Sequence, residues 1–424
     1  MTNGPGGQLQ RTLGLLDAVG IGVGAIVGAG IFVVLGVAAG IAGPAVILAV
    51  LVAGMAATAN ALSSAQLAAT YPVTGGTYEY GYRVLGPWRG FVAGWMFLAG
   101  KTAGVGTVAL GIGAYLETVV PGVPARAVAA TAVVVFTALN YTGVRRSSAA
   151  NLVIVALSVM CLLLFLALGF PDMREAAYTP FAPAGWGATL EAAALMFFAY
   201  TGYARIATLG EEVRDPQRTI PRAIIITIST TLALYAAVAV VAVGVVGAPA
   251  LADTGAPLQV AATAAGGATL GLAVTVGGTA AMLGVILSQL LGLSRMGFAM
   301  ARRGDLPRFL DRVHPRFGVP HRAVVLIGVV ALVVTLTGTL KGVASAAAFT
   351  ILVYYGIANW AALRMPREAK LFPDLVPVAG CVACGLLALS LSSATLLTGL
   401  MVLLGGVVAR LVINPRTGQS DAPA

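Results

Sequence analysis

The sequence predicts an all-α membrane protein of about twelve transmembrane helices, and three observations predict it. Charged residues make up only 9% of the chain against 59% hydrophobic, where a soluble domain carries roughly 25% charged residues. Apolar runs of about 20 residues, the length that crosses a hydrocarbon core, recur through nearly the whole chain and leave no room for a sizeable aqueous domain. With both termini cytoplasmic, 19 of the 25 Lys and Arg fall on the inner side and only Arg126, Arg174 and Lys341 on the outer. The remaining cations, Lys101, Arg205 and Arg295, lie within the runs, and this asymmetry orients the chain in a cytoplasmic membrane by the positive-inside rule. The formal net charge of +10 is therefore topological, and no nucleic-acid partner is expected.

Read between Gly, Pro and charge punctuation, the spans fall at 17–39, 43–69, 90–118, 124–142, 148–169, 188–211, 222–247, 268–301, 322–340, 344–363, 374–391 and 394–413. The first is interrupted at Gly28-Ala29-Gly30 and the sixth at Tyr200-Thr201-Gly202-Tyr203, each break eleven residues after an acid, Asp17 and Glu191. The third carries Lys101 at its centre, the fifth Ser158, and the eighth Gln289 and Arg295. A first and a sixth span broken at matching places predict a five-plus-five inverted repeat with two additional C-terminal helices, because an odd number of spans per unit forces opposite orientations. The corresponding division is a cytoplasmic tail at 1–16, repeats at 17–169 and 188–363, the two extra helices at 374–413 and a cytoplasmic tail at 414–424. The alternative is that the glycines are ordinary small residues of packed membrane helices and the two acids ordinary polar flanks.

A helix restarting near Ala29 in mid-membrane offers backbone N–H groups without intrahelical acceptors and the positive end of its dipole. An anionic carboxylate is the natural ligand of such an end.

The stretches GAIVGAGIF at 24–32, FFAYTGYARIATLGEEVRDPQRTIPRAI at 197–224 and SRMGFAMARRGDLP at 294–307 resemble, in order, three motifs of the amino acid, polyamine and organocation superfamily of transporters. The resemblance, which covers nearly the whole chain, implies a bacterial-type amino acid permease working by alternating access. It implies that the substrate carboxylate meets the amides of Ala29 and Gly30, beside Gly28. The ammonium would meet carbonyls at Ile26, Phe198 and Thr201, next to Gly202. Phe198 matches an aromatic that covers the substrate from outside, and Tyr203 would line the same cavity; packed aromatics are the alternative. Lys101 and Gln289 fall where the superfamily lines the substrate side-chain pocket. Glu211 and Glu212 fall in a region that forms the inner gate, or else in a plain solvated helix end.

An ammonium in mid-span costs several kcal/mol unless it is paired or hydrated, so Lys101 is a functional candidate by default. It is read as a proton carrier or a group that meets substrate charge, with a structural lysine in a polar seam or a misplaced span as the alternatives. Some proton-coupled members of the superfamily carry a lysine in the fifth span where this chain has Ser158. That leaves Lys101 as carrier, a sodium site lined partly by Ser158, or uncoupled exchange. The partners expected are thus a small amino acid, protons or else sodium, and lipid, with the oligomeric state left open.

No metal, cofactor or catalytic residue is expected. Cys161, Cys381 and Cys384 sit in apolar runs without a second ligand pair, and His314 and His321 share one loop with no nucleophile beside them. Within transport, an exchanger or a polyamine or organic cation carrier is the second reading. A channel is the alternative of another class, though neither a carbonyl-filter loop nor a ring of like charge is present in the sequence.

Overall fold

In hydrocarbon every backbone N–H and C=O needs a partner within the protein, and the helix is the local way to supply one. The computed structural model describes residues 13–71, 75–143, 148–207 and 213–413, and among them it contains helices and loops but no strand. The helices are α1 (Leu15–Ile26), α2 (Leu35–Ala42), α3 (Val46–Thr70), α4 (Thr77–Tyr80), α5 (Pro87–Val119), α6 (Ala125–Tyr141), α7 (Ser148–Gly169), α8 (Gly185–Tyr200), α9 (Ala204–Ala207), α10 (Pro216–Ala252), α11 (Pro257–Arg303), α12 (His321–Thr337), α13 (Leu340–Leu363), α14 (Leu375–Ser390) and α15 (Ser393–Ile413). Among the described residues, seven helical stretches are long and apolar enough to cross a membrane, and one of them, Leu15–Thr70, takes in both of the first two expected spans. Three shorter apolar helices, α6, α12 and α14, accompany them.

Two helices run past the limits read from the sequence. The seventh and eighth spans were expected to end at 247 and to begin at 268, yet α10 continues through a bend at Gly247 (φ +78°) and α11 through one at Gly266 and Gly267, the latter at φ +70°. Glycine reaches positive φ without a steric penalty, so the edge of each apolar run marks a kink and not a helix end.

Within the bundle α5 packs on α13 and α11, α3 on α10 and α8, and α11 on α7. Since lipid tails are as apolar as leucine, close contact and buried polar pairs hold such helices together. One pair joins three of them: the Asn359 carboxamide of α13 donates to the Asn60 carboxamide of α3, whose own Nδ2 donates to Cys384 Sγ of α14 at 3.4 Å.

The end of the bundle where α11 and α15 finish is fastened by charge. Arg410 of α15 is only 1% exposed. Its Nη1 donates to the Pro87 carbonyl at 2.7 Å and lies 3.7 Å from Asp305 Oδ1, while the guanidinium covers the Trp88 and Phe91 rings at 4.6 and 4.8 Å. The buried Asp305 carboxylate also accepts from the Tyr78 hydroxyl at 2.8 Å and from Tyr82. Beside it Glu79 takes hydrogen bonds from Arg83 and Arg303, both at 2.8 Å. Arg410 ties α15 to α5 and to the loop after α11.

Truncating one partner of a buried pair leaves the other charge uncompensated. Asp305→Asn and Arg410→Met should each cost about 3–5 kcal/mol, and the double variant less than their sum, read by thermal unfolding in detergent. Burial works to raise the Glu79 carboxyl, but the hydrogen bonds from Arg83 and Arg303 outweigh it and hold the group below its ordinary value of 4.5. Its contribution is therefore complete above that value and lost as pH falls through the lowered one. Glu79→Gln should flatten the acid limb of stability against pH; an unchanged limb would mean that the pair contributes nothing.

Candidate functional site

The site starts from two interruptions. α1 stops at Ile26 because Val27 turns to extended backbone (ψ 108°), although its N–H still reaches the Val23 carbonyl at 2.8 Å. The chain resumes as one π-helical turn, Gly30–Val34, before α2. α8 stops at Tyr200, tightens into the 3-10 turn Thr201–Tyr203, and resumes as α9. Asp17, one of the two acids expected upstream of the breaks, accepts the Gly14 N–H at 2.9 Å and so helps to start α1.

The two interruptions cross in backbone contact. A Cβ placed on Gly202 would lie 2.2 Å from the Ala25 carbonyl oxygen, and one on Gly30 would lie 2.4 Å from Ala199 Cα. Both neighbours are main chain, which cannot rotate aside, so only glycine permits the crossing.

Carbonyls released by the breaks are taken up by hydroxyls. Tyr235 of α10 donates to the Ile26 carbonyl at 2.9 Å, Tyr355 of α13 to that of Thr201 at 3.2 Å, and the Thr201 hydroxyl to that of Phe198 at 3.0 Å. Tyr115 of α5 closes the π turn from the other side, reaching the Phe32 carbonyl at 2.6 Å. Of the three carbonyls expected to face a ligand ammonium, those of Ile26 and Thr201 each hold one tyrosine hydroxyl and keep a lone pair, while that of Phe198 already accepts both the hydroxyl and the N–H of Thr201.

A cavity opens at the crossing. Of the residues expected there, Ile26, Gly28, Ala29, Gly30, Lys101, Phe198, Thr201, Gly202 and Gln289 line it, joined by Ala25, Val108, Ala199 and Val285. Lys101 Nζ donates to the Thr201 hydroxyl at 3.1 Å, and Gln289 Oε1 is buried with no partner among the described residues. The free space is only about 20 Å³, on the order of one or two waters, so a larger ligand enters only when the walls part.

The remaining candidates fare differently. Tyr203 lies outside the lining and packs against Tyr355, ring centroids 5.3 Å apart, because the 3-10 turn carries it behind the crossing. Ser158 is 1% exposed and also outside the cavity; its hydroxyl lies 2.7 Å from the Ile154 carbonyl and 2.9 Å from that of Gly277 in α11. Glu211 and Glu212 fall outside the described residues. The tyrosines at 115, 235 and 355 were missed. An intramembrane phenol needs a hydrogen-bond partner, which was a signal in the sequence, but nothing there says which carbonyl it meets.

A model of the amino acid permease family matches residues 17–417. An uncharacterized transporter of Mycobacterium tuberculosis is 44% identical over 420 residues, 98% of this chain and 94% of the relative. A branched-chain amino acid permease of Bacillus subtilis is 30% identical over 341 residues, 76% of this chain and 73% of the relative. A methylthioribose transporter of Bacillus subtilis is 32% identical over 343 residues, 76% of this chain and 74% of the relative.

Glycine substitutions test the crossing. Gly202→Ala meets main chain and should prevent assembly of the site, with loss of monodisperse protein and of ligand response. Gly28→Ala meets a Val285 methyl at 2.8 Å, which can rotate, and should fold with a lower melting temperature. Equal behaviour of the two variants would contradict the close approach.

Proposed function

The chain belongs to the amino acid permease family, and from that premise we propose that it is a secondary active transporter carrying amino acids across the cytoplasmic membrane by alternating access, with both termini in the cytoplasm. The family and the transporter relatives set it among multi-pass membrane carriers and apart from enzymes. The observation that carries the finer reading is the cavity at the crossing of two interrupted helices, one wall glycine backbone and the other Lys101 on α5.

The substrate carboxylate docks at the restart of the first helix, on the amides of Ala29 and Gly30, where the end of the helix dipole is positive. The ammonium takes the lone pairs left on Ile26 and Thr201, and the Phe198 carbonyl, already engaged twice by Thr201, is the weakest of the three expected contacts. Tyr235 and Tyr355 keep two of these carbonyls aimed, so recognition of the zwitterion needs no charged side chain. Opening and closing follow from an inverted five-plus-five repeat, spans one, two, six and seven rocking against three, four, eight and nine. Phe198 closes the outer side, and Glu211 and Glu212 belong to the inner gate.

Uptake is proton-coupled, with Lys101 as the carrier: its ammonium holds the Thr201 hydroxyl, which in turn holds the Phe198 carbonyl, so a proton gained or lost at Lys101 acts directly on the second break. Ser158, engaged with main chain of its own helix and of α11, is the weaker candidate for coupling.

The test is uptake of amino acids, one at a time, into proteoliposomes. Saturable flux that rises with an imposed inward proton gradient and falls at least about tenfold in Lys101→Ala, the scale of a lost charge-assisted contact, is expected. Flux indifferent to pH but requiring internal amino acid would replace coupling by exchange. Flux that does not saturate would point to a channel, and uptake of organic cations alone would reject the amino acid substrate.

A further inference from the structure

One corner of the cavity has chemistry that the zwitterion does not use. Lys101 and Gly104 sit one helical turn apart on the same face of α5. A Cβ on Gly104 would lie 3.1 Å from Gln289 Oε1 and 3.0 Å from the Phe198 ring. The Gln289 carboxamide therefore lies against α5 just beyond Lys101, with Phe198 beside it. Lys101 has three N–H donors and spends one on the Thr201 hydroxyl. Among the described residues no carboxylate lies within 4.0 Å of its ammonium, and the cavity lining contains no Asp or Glu.

The contrast with Arg410 is direct, since that buried cation is answered by Asp305, the Pro87 carbonyl and two aromatic faces. The cation in the cavity is answered, among the described residues, by one hydroxyl.

Resting on the reading of the cavity as an amino acid site, we propose that the transported substrates are amino acids with an anionic side chain, aspartate or glutamate. The side-chain carboxylate pairs with Lys101 through one oxygen. The other oxygen accepts from Gln289 Nε2 once the carboxamide turns by 180°, an orientation set by its hydrogen-bond partner. The corner is then electrically neutral and the buried Gln289 amide is satisfied. A carboxamide side chain makes the same hydrogen bonds without the charge, an aliphatic one leaves both polar groups unpaired, and a cationic one sets two like charges together in a site of low dielectric.

Thermal stabilisation of the purified full-length protein in detergent, measured against each of the twenty amino acids, tests this. Aspartate or glutamate should bind about tenfold or more tighter than asparagine or glutamine, and lysine or arginine at least about a hundredfold weaker than the acids, the scale expected for a desolvated charge pair made or reversed. Lys101→Arg should retain the order of preference, and Lys101→Met and Gln289→Met should each lose the acidic advantage. If neutral amino acids stabilise the wild-type protein and the acids do not, the anionic assignment is overturned and the amino acid transporter stands. If no amino acid stabilises it and none is taken up by proteoliposomes, the transporter reading falls and this one with it. The wild-type series decides both cases even where a Lys101 variant does not fold.

Discussion

The structure turns on one constraint: two apolar helices are interrupted in the interior of the bundle, and their main chains touch where they cross. Gly202 against the Ala25 carbonyl and Gly30 against Ala199 bring the backbones closer than any side chain allows. Interruption in such a place is costly, because released peptide groups have no water to turn to. The cost is offset by hydroxyls placed on other helices, those of Tyr235, Tyr355 and Tyr115, each delivered to a particular carbonyl. The polar lining of the cavity is thus largely main chain, and its geometry is held by α5, α10 and α13 from three sides. Such an arrangement suits a small zwitterion, whose two charges match the two kinds of peptide end.

Buried charge is used in two ways. Near the end of α11, Asp305 and Arg410 are nearly inaccessible and meet each other, two tyrosine hydroxyls, a carbonyl and two aromatic rings. With its charges answered, this cluster fixes α15 to the rest of the bundle. At the crossing, among the described residues, Lys101 has only the Thr201 hydroxyl and Gln289 Oε1 has no partner. A buried group left incompletely satisfied by the fold is one that a ligand or a proton can satisfy, which separates the functional corner from the structural one.

What the sequence determined by itself was the class of protein, the membrane as solvent, and the places where helices fail. Composition sets the first two, since 59% hydrophobic with 9% charged residues cannot be a soluble core and surface. The breaks were legible because glycines interrupt apolar runs at Gly28-Ala29-Gly30 and around Gly202, and Lys101 stood out as a cation inside an apolar run, whereas Phe198 and Gln289 were reached only through the resemblance to the superfamily. These are local properties, carried by residues close to one another in the chain or by a single residue type in an incompatible solvent. Tertiary structure alone decided that Tyr235 meets the carbonyl of Ile26, that Asp305 meets Arg410, that Ser158 turns to Gly277 and away from the cavity, and that the 3-10 turn puts Tyr203 behind the crossing. Each of these depends on the rotation of one helix about its axis against another, which follows from the packing of many small contacts at once and leaves no pattern in the sequence of either helix.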